Sequence, residues 1–272
     1  MELNLDTGRL WVFIAGFAVM FVLETLFPAR VAPRSRGQRL AFHGLIAVFN
    51  TTVVRVFAYV PLLLWAVHVE EQGYGLARWL GLVGWAEIVV SIVVLDAFDY
   101  AWHRANHRWR VLWRFHKAHH ADTAMDVTTA LRFHPFELLV SAAVKAVWLL
   151  LWGPTVVSWF VFQALVSLCS QFHHANVDLP DPVERWVGRV WVTPRFHAAH
   201  HRVERHLGNA NFSTILPIWD RLFGSYSPPP AAHDQEGVVV AYGLPESRQL
   251  AFDALAWLGE PFSRRNLDVD RR

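Results

Sequence analysis

The chain has 272 residues, 54% of them hydrophobic, with a mean hydropathy of +0.24 and 14 tryptophans, which is too apolar for an ordinary soluble domain. Its 25 basic residues nearly balance 23 acidic ones, so charge gives no reason to expect a nucleic-acid partner. The single cysteine, Cys169, excludes an internal disulfide and any zinc or iron–sulfur site built from cysteines.

Leu10 to Phe27 is an apolar run of about membrane-spanning length. The segment before it lacks a basic flank and a small-residue cleavage site, so an uncleaved span is expected rather than a signal peptide. Glu24, near its end, is read as an interfacial residue, with a polar contact inside the bundle as the alternative. Arg30, Arg34, Arg36 and Arg39 follow without an acid. Phe42 to Val67 is a second span, interrupted by Asn50, Thr51, Thr52 and Arg55. A charge at that depth is costly, so Arg55 is expected to face a wet or protein-lined interior, or to snorkel. Glu70 and Glu71 sit in the next loop, and a third span is expected from about Trp79 to Trp102. Basic loops stay in the cytoplasm. The N-terminus and the Glu70–Glu71 loop are therefore expected outside, and the end of the third span inside.

Phe136 to Phe172 is a further apolar stretch, short for two full spans of about 20 residues each. Gly153-Pro154 near its middle is a turn signal, so a tight or shallow helical hairpin is expected, its depth left open. From about His173 the chain is no longer span-like. SPPPAAHDQEG, from Ser227, reads as a linker, and Ser247 to Leu258 as an amphipathic helix on the membrane surface.

The histidines are the informative residues. The segment between Asp96 and His120 carries HxxxH (His103, His107) and HxxHH (His116, His119, His120), and a second HxxHH lies at His197, His200 and His201. Residues three or four apart share a helix face, so each box can converge on one point. A lone histidine is ordinarily a core or capping residue. Clustered imidazoles fill a core poorly and repel when protonated, whereas metal binding uses several neutral ones together.

Other elements accompany the boxes. Asp96 and Tyr100 precede HRANH and LWRFHKAHH (Leu112 to His120); RFHPFE (Arg132 to Glu137), FHHANVDLP (Phe172 to Pro180), TPRFHAAHH and NFSTILPIWDRLFGSY (Asn211 to Tyr226) follow. Over about residues 90 to 245 this run resembles the sterol desaturase / fatty acid hydroxylase superfamily of membrane oxygenases. Asp99 stands where that family usually has an apolar or aromatic residue, and NFS replaces N-Y/F-G. Neither departure touches a box histidine; both bear on substrate contacts.

The resemblance implies an all-α integral membrane protein: a helical membrane bundle with a cytoplasmic helical cap that carries a histidine-rich di-metal site. It implies a single domain over 1–272, with N-terminal spans to 95, a catalytic core over 96–226 that includes the hairpin 136–172, and a tail beyond. The implied metal ligands are His103, His107, His116, His119, His120, His174, His197, His200 and His201. His173 is the alternative to His174, and His134 is given a structural or outer role. Asp96 lies seven residues before His103, on the same helix face, and is a candidate partner for a ligand imidazole, as are Asn176 and Asp220. A capping role for Asp220, or a pair with Arg221, is the plainer alternative.

Two iron ions are the implied cofactor, with zinc a possible recombinant substitute and O2 the co-substrate. The implied reaction is hydroxylation or desaturation of an unactivated C–H bond in a lipid such as a sterol, a fatty acyl chain or an isoprenoid. No flavin, haem or nicotinamide motif is visible, so electrons are expected from a separate donor such as a ferredoxin, a cytochrome b5-like protein or a reductase. The competing reading is a non-catalytic membrane scaffold whose loops are stapled by zinc. Nine ligands exceed what one tetrahedral zinc uses, and no HExxH hydrolase motif is present.

Overall fold

The computed structural model describes residues 2–30, 36–228, 242–244 and 252–262. Among these residues all regular structure is helical, apart from one isolated bridge between Arg202 and Tyr242. The long helices are α1 (Glu2–Leu26), α2 (Arg36–Val54), α3 (Val60–Glu71), then, after the short α4 (Leu76–Trp79), α5 (Gly84–Arg108), and, after α6 (Arg110–His120), α7 (Pro135–Trp152) and α8 (Val156–His174). Shorter helices complete it: α9 (Asp181–Val190), α10 (Pro194–His200), α11 (Arg205–Gly208), α12 (Ile218–Leu222) and α13 (Ala254–Gly259).

Four stretches are long and apolar enough to cross a membrane: Gly8–Leu26, Arg36–Trp79, Pro135–Trp152 and Val156–His174. Their large side chains point outward in numbers a water-soluble surface would not tolerate, Trp11, Val48, Phe57 and Leu151 among them. The expected third span is corrected in its bounds and character. It falls on α5, Gly84–Arg108, which is not among the four apolar stretches: Glu87, Asp96 and Asp99 interrupt it. All three are buried, facing the other helices rather than the outside. Arg55 is exposed and opens a π-helical turn, Arg55–Tyr59. Pro61 accounts for that turn: its ring crowds the carbonyl of Phe57, and the helix widens by one residue ahead of it.

The helices share two ends. At one end Gly75 (φ +96°) and Gly153 (φ +69°) meet backbone to backbone, and a Cβ on either would overlap the opposing chain. Around them Arg78 donates to the Gly153 carbonyl, the Val156 amide to Glu70, and Thr155 and Ser158 to Glu87. The tip of the α7–α8 hairpin therefore reaches the Glu70 turn and the start of α5, so the hairpin runs the length of the bundle rather than dipping shallowly. At the other end the chain forms the histidine-bearing region.

Glu24 belongs to that second end and makes the polar contact inside the bundle. Its carboxylate is buried and accepts from Arg36 at 2.5 Å and from the amides of Val127 and Asn176 at 2.9 Å. Arg39 is buried beside it and holds Asp122 (2.6 and 2.8 Å) and Asp126 (2.5 Å), tying α2 to the loop after α6. The expected surface helix at Ser247–Leu258 is corrected too. Its first residues lie outside the described ones, as does most of the Ser227 linker; the rest is the short α13, whose Trp257 is buried and bonded to the Ala118 carbonyl.

Candidate metal centre

Each box is placed by its helix. α5 ends with His103 and His107 one turn apart, and α6 carries His116, His119 and His120. Thr193 caps α10 by accepting from the Phe196 amide at 3.1 Å, which sets the turn bearing His197 and His200, with His201 immediately after it. His173 and His174 close α8.

The side chains sort into two groups. His103, His107, His116, His120 and His200 form one; His119, His174, His197 and His201 form the other. Within each group one nitrogen per residue lies within 4.8 Å of every other. Two nitrogens on one ion at ~2.1 Å stand roughly 3 Å apart when adjacent and roughly 4.2 Å when opposite. The Nε2 pairs His107–His120 and His119–His174 at 3.1 Å, and His174–His197 and His197–His201 at 3.2 Å, match the adjacent case. The groups adjoin, with the rings of His120 and His201 stacked at 4.4 Å.

Hydrogen bonds fix several rings from behind. His103 Nδ1 donates to the Phe212 carbonyl, His200 Nδ1 to Ala210 and His174 Nδ1 to Ser170, each at 2.7 Å. His116 Nδ1 donates to Glu137 at 2.8 Å. A donating Nδ1 leaves Nε2 as a bare lone pair, and the Nε2 atoms of His103, His116 and His200 are buried without a hydrogen-bond partner. Burial, helped by the neighbouring imidazoles, holds His119, His120, His197 and His201 well below the ordinary histidine range, and burial lowers His200 to about 3. Neutral imidazoles with inward lone pairs are the form a metal requires. The donor set fits two ions, one per group.

The remaining site residues fall elsewhere. The His173 ring lies 4.0 Å from that of His197, tilted against it, but joins neither group. His134 caps α7, accepting from the Phe136 amide, and touches the Leu258 carbonyl. Asp96 contacts no histidine: it accepts from the amides of Ile215 and Leu216 and from the Trp219 indole at 2.7–3.1 Å. Seven residues is two turns, ~10 Å along the axis, too far to reach His103. Asn176 bonds both backbone groups of Arg30, again away from the histidines. Asp220 does not pair with Arg221; it accepts from the amides of Phe212 and Ser213 at 2.8 Å and from Ser225. Asp96 and Asp220 thus hold the loop whose carbonyls orient His103 and His200. In the middle of that loop Asn211 has φ +59°, a left-handed conformation asparagine tolerates.

Glu137 is the residue that sequence reasoning missed. Its signal was an acid in the first turn of an apolar helix, directly after the histidine-rich segment. Glu137→Gln is expected to lower metal affinity about 10–100-fold, the usual effect of losing an outer partner of a ligand imidazole. Metal retained after dialysis against a graded chelator measures it.

A cavity of about 380 Å³ opens on both groups, touching His103 and His116 of one and His119, His174 and His197 of the other. It extends between α1, α2, α5, α7 and α8.

Residues 88–225, half of the chain, match the family described as fatty acid hydroxylase. Among curated proteins the chain is 29% identical to the ornithine lipid hydroxylase OlsE of Rhizobium tropici, over 66% of this chain and 51% of that protein. It is 28% identical to the alkylglycerol monooxygenase of Homo sapiens, over 54% of this chain and 31% of that one. It is 23% identical to the very-long-chain aldehyde decarbonylase GL1-9 of Oryza sativa, over 84% and 88%. The chain thus spans about half of the first and about a third of the second. No solved structure gives a significant match.

Proposed function

Because the chain belongs to the fatty acid hydroxylase family, we propose that it is a membrane-bound di-iron oxygenase that oxidises an unactivated C–H bond of a lipid with O2 and electrons from a separate donor. The observation that carries this reading is the cavity: it reaches both histidine groups at once. A zinc staple has no use for such an opening, whereas an oxidation needs the reacting carbon beside both ions.

One ion falls to His103, His107, His116, His120 and His200, the other to His119, His174, His197 and His201. When bound, a pair of irons supplies the O2-dependent redox chemistry that no acid or base on the chain can provide. The protein's part is positional. The Phe212, Ala210 and Ser170 carbonyls and Glu137 hold imidazoles in one tautomer. Leu131, Phe133, Leu138 and Trp102 wall the cavity with apolar groups that keep bulk water from the reacting carbon. The relatives are an ornithine lipid hydroxylase, an alkylglycerol monooxygenase and an aldehyde decarbonylase, so the family supports a lipid without choosing one.

We infer that the histidine end faces the cytoplasm. Arg30, Arg36, Arg104, Arg108, Arg110 and Arg114 gather in the segments of that end, and Glu70 and Glu71 at the other, which the positive-inside rule supports.

Protein purified from iron-supplemented cells is expected to hold two metal ions per chain and to consume O2 when given a lipid extract and a competent reductant. One metal or fewer in folded protein, or no consumption with any lipid pool, overturns the reading.

A further inference from the structure

The walls of the cavity are not those of a hydrocarbon tube. On α7, Ser141 and Lys145 follow Glu137 at intervals of four, so all three share one face. On α8, Gln163, Ser167 and Gln171 repeat the interval, and on α5 Asp99 stands one turn before His103. These polar residues all line the one cavity, and α7 and α8 are helices apolar enough to cross a membrane. Polar and charged groups at that depth are expensive and are kept for a purpose.

Lys145 and Asp99 are the sharpest case. Lys145 Nζ lies 3.7 Å from Asp99 Oδ1, with side chains 17% and 9% exposed. At that separation the charges attract but share no hydrogen bond. A buried pair held for stability needs close geometry and further hydrogen bonds to offset its desolvation, and this one lacks the first. What it offers the cavity is a donor and an acceptor side by side, with no net charge. The complement is a neutral group that both accepts and donates.

Resting on the oxygenase reading, we propose that Lys145 and Asp99 recognise a hydroxyl or amide group of the lipid substrate. Asp99 is ~6 Å along α5 from His103, and Lys145 ~12 Å along α7 from Glu137, the partner of His116. The carbon that is oxidised therefore lies near the polar end of the substrate, not far down an alkyl tail.

The test compares hexadecanol, hexadecanamide and hexadecane, in equilibrium binding to the metal-loaded protein and as substrates. The two polar probes are expected to bind at least tenfold tighter than the alkane. The double variant K145M/D99L, with its metal content checked, is expected to bring the three within twofold of one another. Wild-type protein that binds hexadecane as tightly as hexadecanol overturns the proposal without any variant, as does a metal-replete double variant that keeps the preference. The underlying reading fails separately. Polar preference in binding with no oxidation of any probe supports the recognition site and counts against the oxygenase. Oxidation of hexadecane as fast as hexadecanol supports the oxygenase and overturns the recognition site.

Discussion

Replacing His200 or His119 by alanine is expected to abolish lipid oxidation, a loss of at least ~10²-fold, with membrane insertion unchanged. The magnitude has a lower bound, because losing an outer partner of a ligand already costs 10–100-fold. His200 belongs to the five-imidazole group and His119 to the four-imidazole group, so each variant is expected to disable a different ion. Neither has a stand-in: His173, a neighbouring imidazole, lies tilted against His197 and joins neither group. The membrane helices should still form, because lipid burial and helix packing, not the metal, hold them. The measurements are protein in the membrane fraction, metal per chain and oxidised lipid. Full insertion with one metal lost and no product is the expected pattern. Wild-type product from either metal-deficient variant would remove that group from the chemistry.

Arg39→Ala is expected to have the largest effect on stability, about 3–5 kcal/mol, without touching a histidine. The guanidinium is 1% exposed and binds the carboxylates of Asp122 and Asp126, the Ala124 carbonyl and Thr129. Removing it leaves two buried acids without their cation, the situation that makes breaking a buried ion pair far costlier than the pair was worth. Burial by itself pushes the Asp122 carboxyl up, but Arg39 and the other cations around it outweigh that and hold it well below the usual carboxylate range. Such a depressed group stabilises the fold above its unfolded pKa of ~3.9, and that contribution is lost as pH falls further. The deficit of the variant should therefore shrink as the pH drops through the carboxylate range. A thermal midpoint lowered on the order of 10 °C at neutral pH, in detergent, is the readout. An unshifted midpoint would show that water replaces the guanidinium.

Much of the fold was legible because its signals are local. The apolar runs, the Gly153-Pro154 turn and the box spacing each lie within a few residues. The division of the histidines into two groups was not legible. His119 and His120 are neighbours, yet they serve different groups, because consecutive residues on a helix point about 100° apart. His200 likewise leaves its own box to join His103 and His107. Only the packing of α5, α6, α8 and α10 decides that. Asp96 was legible as a buried acid on the right helix but not in its role, since the backbone it holds, at Ile215 and Leu216, is more than a hundred residues away. The hairpin's depth was hidden similarly: it rests on Gly75 and Gly153 meeting across the bundle.

The left-handed turn at Asn211 decides which changes this site can absorb over evolutionary time. The acceptors for His200 and His103 are the main-chain carbonyls of Ala210 and Phe212, which flank it, and every amino acid carries a carbonyl. Side chains at 210 and 212 can thus drift without erasing either acceptor. Position 211 has no such freedom: asparagine and glycine accept a positive φ, and a β-branched residue does not. A valine there would swing both carbonyls away together. One replacement in a loop that carries no box histidine would then unseat two imidazoles, so the heritable information for their orientation is concentrated in a residue that belongs to neither histidine group.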